Sequence, residues 1–132
     1  MVGDWMVGVV DMLVPLLESP LVRVLVYSGQ NDVILGAPLT EQFLNALDWS
    51  GAAAYRAAAK QAWHVDTPAT ANDHMAGYLK VVGGSDSNGT DQTGAFVYAV
   101  VRGAGHMVPT DQPERAYDLI TRFVEDDWAN LH

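Results

Sequence analysis

Residues 95–124 read AFVYAVVRGAGHMVPTDQPERAYDLITRFV. Three signals follow one another within them. Ala95 to Arg102 is almost wholly apolar, β-branched or aromatic, the composition of a strand covered on both faces of a sheet. Gly103-Ala104-Gly105-His106 is then a turn that delivers one titratable side chain past the strand end. From Asp111 onward the period changes: Ala116, Leu119, Ile120, Phe123 and Val124 recur at i, i+3, i+4, i+7 and i+8, the stripe of an amphipathic helix. Asp111 as N-cap, Pro113 in the first turn and Glu114 at N3 predict a capping box at its start.

The same alternation extends toward the N-terminus. Leu21 to Tyr27, LVRVLVY, is a second run of buried-strand type, interrupted only by Arg23 and closed by Ser28-Gly29. Pro38 opens a helix that sets Leu39, Phe43, Leu44 and Leu47 toward a core. Gly51 to Lys60 is Ala-rich and predicts a short surface helix. Gln61 to Val65 and Met75 to Val82 read as two short strands around a polar loop. Gly83 to Gly94 is a loop of turn residues. Asp4 to Leu17 has helical apolar spacing, with Pro15 in conflict with it, and Ser19-Pro20 marks a break. Strand, helix, strand, helix without repeat or linker predicts an α/β sheet with flanking helices, in one domain over residues 1–132.

Composition narrows the functions. Seven Lys and Arg against 16 Asp and Glu give a formal net charge of −9. Nucleic acid and anionic membrane both require a basic face, so neither is expected as a partner. An acidic balance serves solubility, and it also suits an acidic compartment, where partial protonation relieves self-repulsion. Cysteine is absent, which excludes disulfides and thiolate metal sites. No apolar run approaches the ~18 residues of a membrane span. Met1 to Pro20 carries Asp4, Asp11 and Glu18 and does not read as a signal peptide. Asn88-Gly89-Thr90 is a glycosylation acceptor sequence. His64, His74 and His132 form no metal-ligand spacing, so no metal or other cofactor is expected. Trp5, Trp49, Trp63 and Trp128 read as packing residues.

In an open α/β sheet, ligands bind beyond the carboxyl ends of the strands. Asp32 follows one such end and His106 another. If the two strands are neighbours, both side chains reach one crevice from positions 32 and 106. A carboxylate accepting from one imidazole nitrogen would orient the ring and leave the other nitrogen to take a proton from a nucleophile. Each residue alone has a plainer reading: Asp32 as a turn residue holding its own backbone, His106 as a structural histidine. The order Asp then His, after consecutive strands, is that of the α/β hydrolases.

Three stretches together carry a closer resemblance: VLVYSGQNDVILGAPLTEQFLNALDW at 24–49, AGYLKVV at 76–82 and FVYAVVRGAGHMVPTDQPERAYDLITRFV at 96–124. With YSGQND upstream and GHMVPTDQP downstream, they resemble the serine carboxypeptidase family, most of all its vitellogenic and vitellogenic-like branch. The resemblance implies an α/β-hydrolase fold, of which this chain would be the C-terminal part. It implies Asp32 and His106 as catalytic residues and Met107 as a substrate-pocket residue. Gln30 falls where many members have an acidic residue, and Leu35 where yeast- and plant-type members place a Cys. The family acts on peptides through an acyl-enzyme in the secretory pathway, lysosome, vacuole or extracellular space. Its nucleophile lies in a Gly-Glu-Ser-Tyr-type elbow, whereas Ser19, Ser28, Ser50, Ser85 and Ser87 all lack a G-x-S-x-G frame. The chain alone is therefore expected to be inactive and poorly stable, the catalytic Ser coming from an upstream portion. Two other readings fit the same residues: a non-catalytic binding module of α/β-hydrolase type, and part of another α/β hydrolase such as an esterase.

Overall fold

The computed structural model describes residues 8–65, 74–83, 96–128 and 131. Helix α1 (Val10–Glu18) leads to strand β1 (Val24–Gly29), helices α2 (Ala37–Ala46) and α3 (Ala52–Ala57), and strands β2 (Gln61–His64), β3 (Met75–Val82) and β4 (Phe96–Val101). A one-turn helix α4 (Val108–Asp111) and the helix α5 (Pro113–Glu125) follow β4. The four strands form one mixed sheet in the order β1-β4-β3-β2. β1 and β4 run parallel, with Val24 opposite Phe96 and Gly29 opposite Val101, while β3 is antiparallel to both β4 and β2. The fold is thus mixed α/β. The chain-adjacent strands β2 and β3 pair as a hairpin, and β1 reaches its parallel neighbour only through the intervening elements.

Strand alternation divides the core into two layers. Val97, Ala99 and Val101 of β4 face one side, with Trp63, Leu79, Ala116 and Leu119. Phe96 and Tyr98 face the other, with Leu17, Leu44, Leu47 and Tyr55. α5 covers the first layer and α1, α2 and α3 cover the second. Trp63 adds a hydrogen bond from Nε1 to Asp118 on α5 at 2.7 Å, so its polar edge stays paired while its ring is buried.

Several sequence expectations are revised. β1 begins at Val24 rather than Leu21, because Ser19 Oγ accepts the Leu21 N–H and holds a turn, and Leu21 is 92% exposed. Arg23 leaves the strand direction to donate to the Phe123 and Val124 carbonyls at the end of α5, a cation placed where a helix leaves carbonyls unpaired. β4 is covered on both faces, whereas β1 is only partly buried and has β4 as its one strand neighbour among the described residues. Asp111 does not cap α5: it ends α4, Gln112 takes the N-cap position, and neither helix has a side-chain cap. On α5, Ile120 and Val124 match the helical period yet are 46% and 64% exposed. α3 is also shorter than the Ala-rich segment suggested, and α1 begins at Val10, with Pro15 inside it. Trp5, the loop 84–94 with Asn88, and His132 lie outside the described residues.

Candidate active site

The site is built where β1 and β4 end side by side. Past Gly29 the chain turns, with the Asp32 N–H donating to the Gly29 carbonyl at 3.2 Å. One carboxylate oxygen of Asp32, Oδ1, accepts the N–H groups of Ile34 at 2.8 Å and Leu35 at 3.0 Å. The other, Oδ2, lies 2.9 Å from Nδ1 of His106. Both readings of Asp32 therefore hold at once: it braces its own turn with one oxygen and faces the histidine with the other. These contacts pull its pKa below the ordinary 3.8, first through the Leu35 N–H and then through His106, since each hydrogen bond favours the ionised form.

An ionised carboxylate can only accept, so His106 donates through Nδ1–H. In the neutral ring this leaves the Nε2 lone pair available. The Asp32 side chain is 6% exposed and that of His106 is 49% exposed. The acid is thus shielded behind the imidazole, and the imidazole presents itself to the surface. They border a cleft of about 260 Å³ that also takes in Tyr27, Ser28, Leu35 and Val108. Met107, next to the histidine, is 62% exposed and Leu35 is 60% exposed.

Two loops must stay in register for this geometry. The Gln30 N–H donates to the Val101 carbonyl at 2.9 Å and the Asn31 N–H to the Ala104 carbonyl at 2.8 Å, continuing the β1–β4 ladder into the loops. Gly29 allows the approach. A β-carbon there would stand 2.5 Å from the Ala104 carbonyl oxygen and nearer still to that of Gly105. Gly103 supplies the left-handed residue of the turn, at φ 72°.

The start of α5 reaches back onto the same loop. Arg115 donates to the Arg102 carbonyl at 2.6 Å and Gln112 to the Gly103 carbonyl at 3.2 Å. The Gly105 N–H donates to Asp111 Oδ2 at 2.7 Å. Sequence reading singled out Asp32 and His106, took Gly29 only as a turn residue, gave no role to Gln112 or Arg115, and gave a different one to Asp111. The signal was present in their spacing: 111, 112 and 115 lie within one turn of the helix start that follows the histidine loop.

Among the described residues, no cluster of three His, Asp or Glu side chains could hold a metal, and no helix is long and apolar enough to cross a membrane. His64 is remote from the pair, its Nδ1 lying 3.1 Å from the Leu131 carbonyl.

Residues 1–126 match the serine carboxypeptidase family. The chain belongs to the serine carboxypeptidase family. It is 40% identical over 104 residues to a probable serine carboxypeptidase of Mus musculus. It is 44% identical over 104 residues to a venom serine carboxypeptidase of Apis mellifera. Each alignment covers 79% of this chain and 19% of the relative. A vitellogenic carboxypeptidase of Aedes aegypti is 35% identical over 106 residues, covering 80% of this chain and 19% of the relative. The chain thus spans about a fifth of the length of the curated relatives it matches.

Proposed function

We propose that these residues supply the acid and base of a Ser–His–Asp triad in a serine-type carboxypeptidase of α/β-hydrolase fold. The observation that carries this reading is the 2.9 Å contact between Asp32 Oδ2 and His106 Nδ1 beyond the ends of two adjacent parallel strands. In the reaction, Nε2 of His106 takes the proton of a Ser hydroxyl as its oxygen attacks the carbonyl of the last peptide bond. The imidazolium then gives that proton to the departing amino acid, leaving an acyl-enzyme for water to cleave. Asp32 stabilises the imidazolium and fixes the ring. The hydrogen bonds to its carboxylate favour the ionised form that this role needs, and the proposed setting is lysosomal, vacuolar or extracellular.

The nucleophile belongs to another part of the polypeptide. Ser28 borders the cleft, but it is buried, 7% exposed. The remainder of the enzyme would add its strands at the open β1 edge. It would also cover the apolar groove of Met12, Leu13, Leu16, Val26 and Phe43, about 450 Å³, since an uncovered apolar edge favours association. The substrate is a peptide. Met107 and Leu35, exposed beside the pair, would contact it, and Asn88 would carry a glycan.

The test is release of the C-terminal residue from a blocked dipeptide by the full-length polypeptide that contains this segment. The reading predicts turnover that is lost in His106→Ala. Peptide turnover unchanged in His106→Ala would overturn it, and turnover of esters but never of peptides would point to an esterase.

A further inference from the structure

Ala104 C=O and Gly105 N–H are the two ends of a single planar peptide unit. The carbonyl end accepts the Asn31 N–H at 2.8 Å, one residue before Asp32. The amide end donates to Asp111 Oδ2 at 2.7 Å. This unit, separated from the His106 α-carbon only by Gly105, is therefore held between the turn that carries the acid and a carboxylate on α4. Glycine at 105 gives the next two torsions little restraint of their own, so the external holds determine where the imidazole stands. Met107 N-caps α4, accepting the Thr110 and Asp111 N–H groups through its carbonyl at 2.9 and 3.0 Å. Asp111 thus closes a hydrogen-bonded loop of residues 105–111 that contains His106.

We propose that Asp111 is a positioning residue for His106, acting through the 104–105 peptide rather than on the substrate. Asp111 is exposed, so its removal strips little from the core. What it controls is the placement of the Nδ1–Oδ2 contact and the direction of Nε2. A hydrogen-bonded carboxylate is also about twice as effective an acceptor as a neutral group, which suits a hold made at the surface against competing water. The inference rests on the reading of His106 as general base.

The experiment compares Asp111→Ala, Asp111→Asn and His106→Ala in the full-length polypeptide, with kcat and KM measured for a blocked dipeptide well below the unfolding temperature. Asp111→Ala should lower kcat by on the order of 10–10² with KM near the parent value, the consequence of a displaced base. Asp111→Asn, which keeps an acceptor oxygen at the same reach, should recover most of that loss. Parent-level kcat in Asp111→Ala, with His106→Ala inactive, overturns the positioning role and leaves the triad reading intact. Full activity in His106→Ala overturns the triad reading itself. A low kcat shared equally by the Ala and Asn variants overturns the hydrogen-bond account. If Asp111→Ala does not fold, Asp111→Glu replaces it. Its extra methylene displaces the acceptor, so kcat should fall below that of Asp111→Asn, and equal kcat values for the two overturn the proposal.

Discussion

Gly29→Ala perturbs the site without touching either titratable residue. Gly29 lies outside the left-handed region, so alanine could adopt its backbone. Relieving the unfolded chain of glycine's freedom would by itself stabilise the fold by about 0.4–1 kcal/mol. Sterics oppose this. The new β-carbon would meet the Ala104 carbonyl oxygen at 2.5 Å, where real β-carbons keep at least 3.0 Å, and the Gly105 carbonyl oxygen more tightly still. Both obstacles are backbone, so one loop must retreat by 0.5 Å or more relative to the other. Overpacking of this kind costs about 1–3 kcal/mol, which outweighs the entropic gain. If the retreat passes to the side chains, the 2.9 Å Asp32–His106 contact opens past the ~3.2 Å limit of a sound hydrogen bond. The assay pairs urea unfolding with dipeptide turnover in the full-length polypeptide. We expect a net loss of stability of roughly 1–2 kcal/mol. We also expect a fall in kcat of up to about 10², the effect of misplacing catalytic groups by an ångström. Parent-level stability together with parent-level kcat would refute the claim that this close approach registers the two loops.

Two further outcomes follow from the same structure. The Tyr55 hydroxyl is buried without a hydrogen-bond partner among the described residues, and burial raises its pKa. Tyr55→Phe should therefore leave stability unchanged or raise it by about 1 kcal/mol, keeping the ring under Lys80 Nζ at 4.4 Å; a clear loss in urea unfolding would contradict this. Asp32 has a pKa depressed below 3.8, so its hydrogen bonds add stability fully above that unfolded-state value and lose it as the pH falls through the folded value. The stability gap between the parent and Asp32→Ala should accordingly narrow in acid below pH 3.8; a gap that widens there would contradict the assignment.

The elements whose composition matched their burial were legible in the sequence. β4 is apolar throughout because both its faces are covered, and the position of His106 past its end followed from that. The pairing of β1 with β4 could be framed only as a condition, because register is a long-range property that no single run of residues encodes. Where local signals failed, a competing contact had taken the residue. Asp111 has the chemistry of an N-cap, but the Gly105 N–H claims its carboxylate. Leu21 has the composition of a strand, but the turn at Ser19 and the reach of Arg23 to α5 delay the strand to Val24. Gly29 looked like an ordinary strand-ending turn residue, since the carbonyls that exclude a side chain there come from residues 104 and 105. The exposed Ile120 and Val124 share a similar lesson: helical period marks a stripe but not how much of it is covered.

The claim that Asp32 orients His106 for proton transfer is tested most directly by Asp32→Asn in the full-length polypeptide. The amide nearly preserves shape, so the fold should persist. It removes the charge that stabilises imidazolium, and its NH₂ can face Nδ1, favouring the wrong tautomer. Turnover of a blocked dipeptide should fall by on the order of 10⁴, as the corresponding change does in chymotrypsin-like proteases, while circular dichroism stays that of the parent. Near-parent kcat in a correctly folded Asp32→Asn variant would contradict the account, because His106 would then be oriented by some other group.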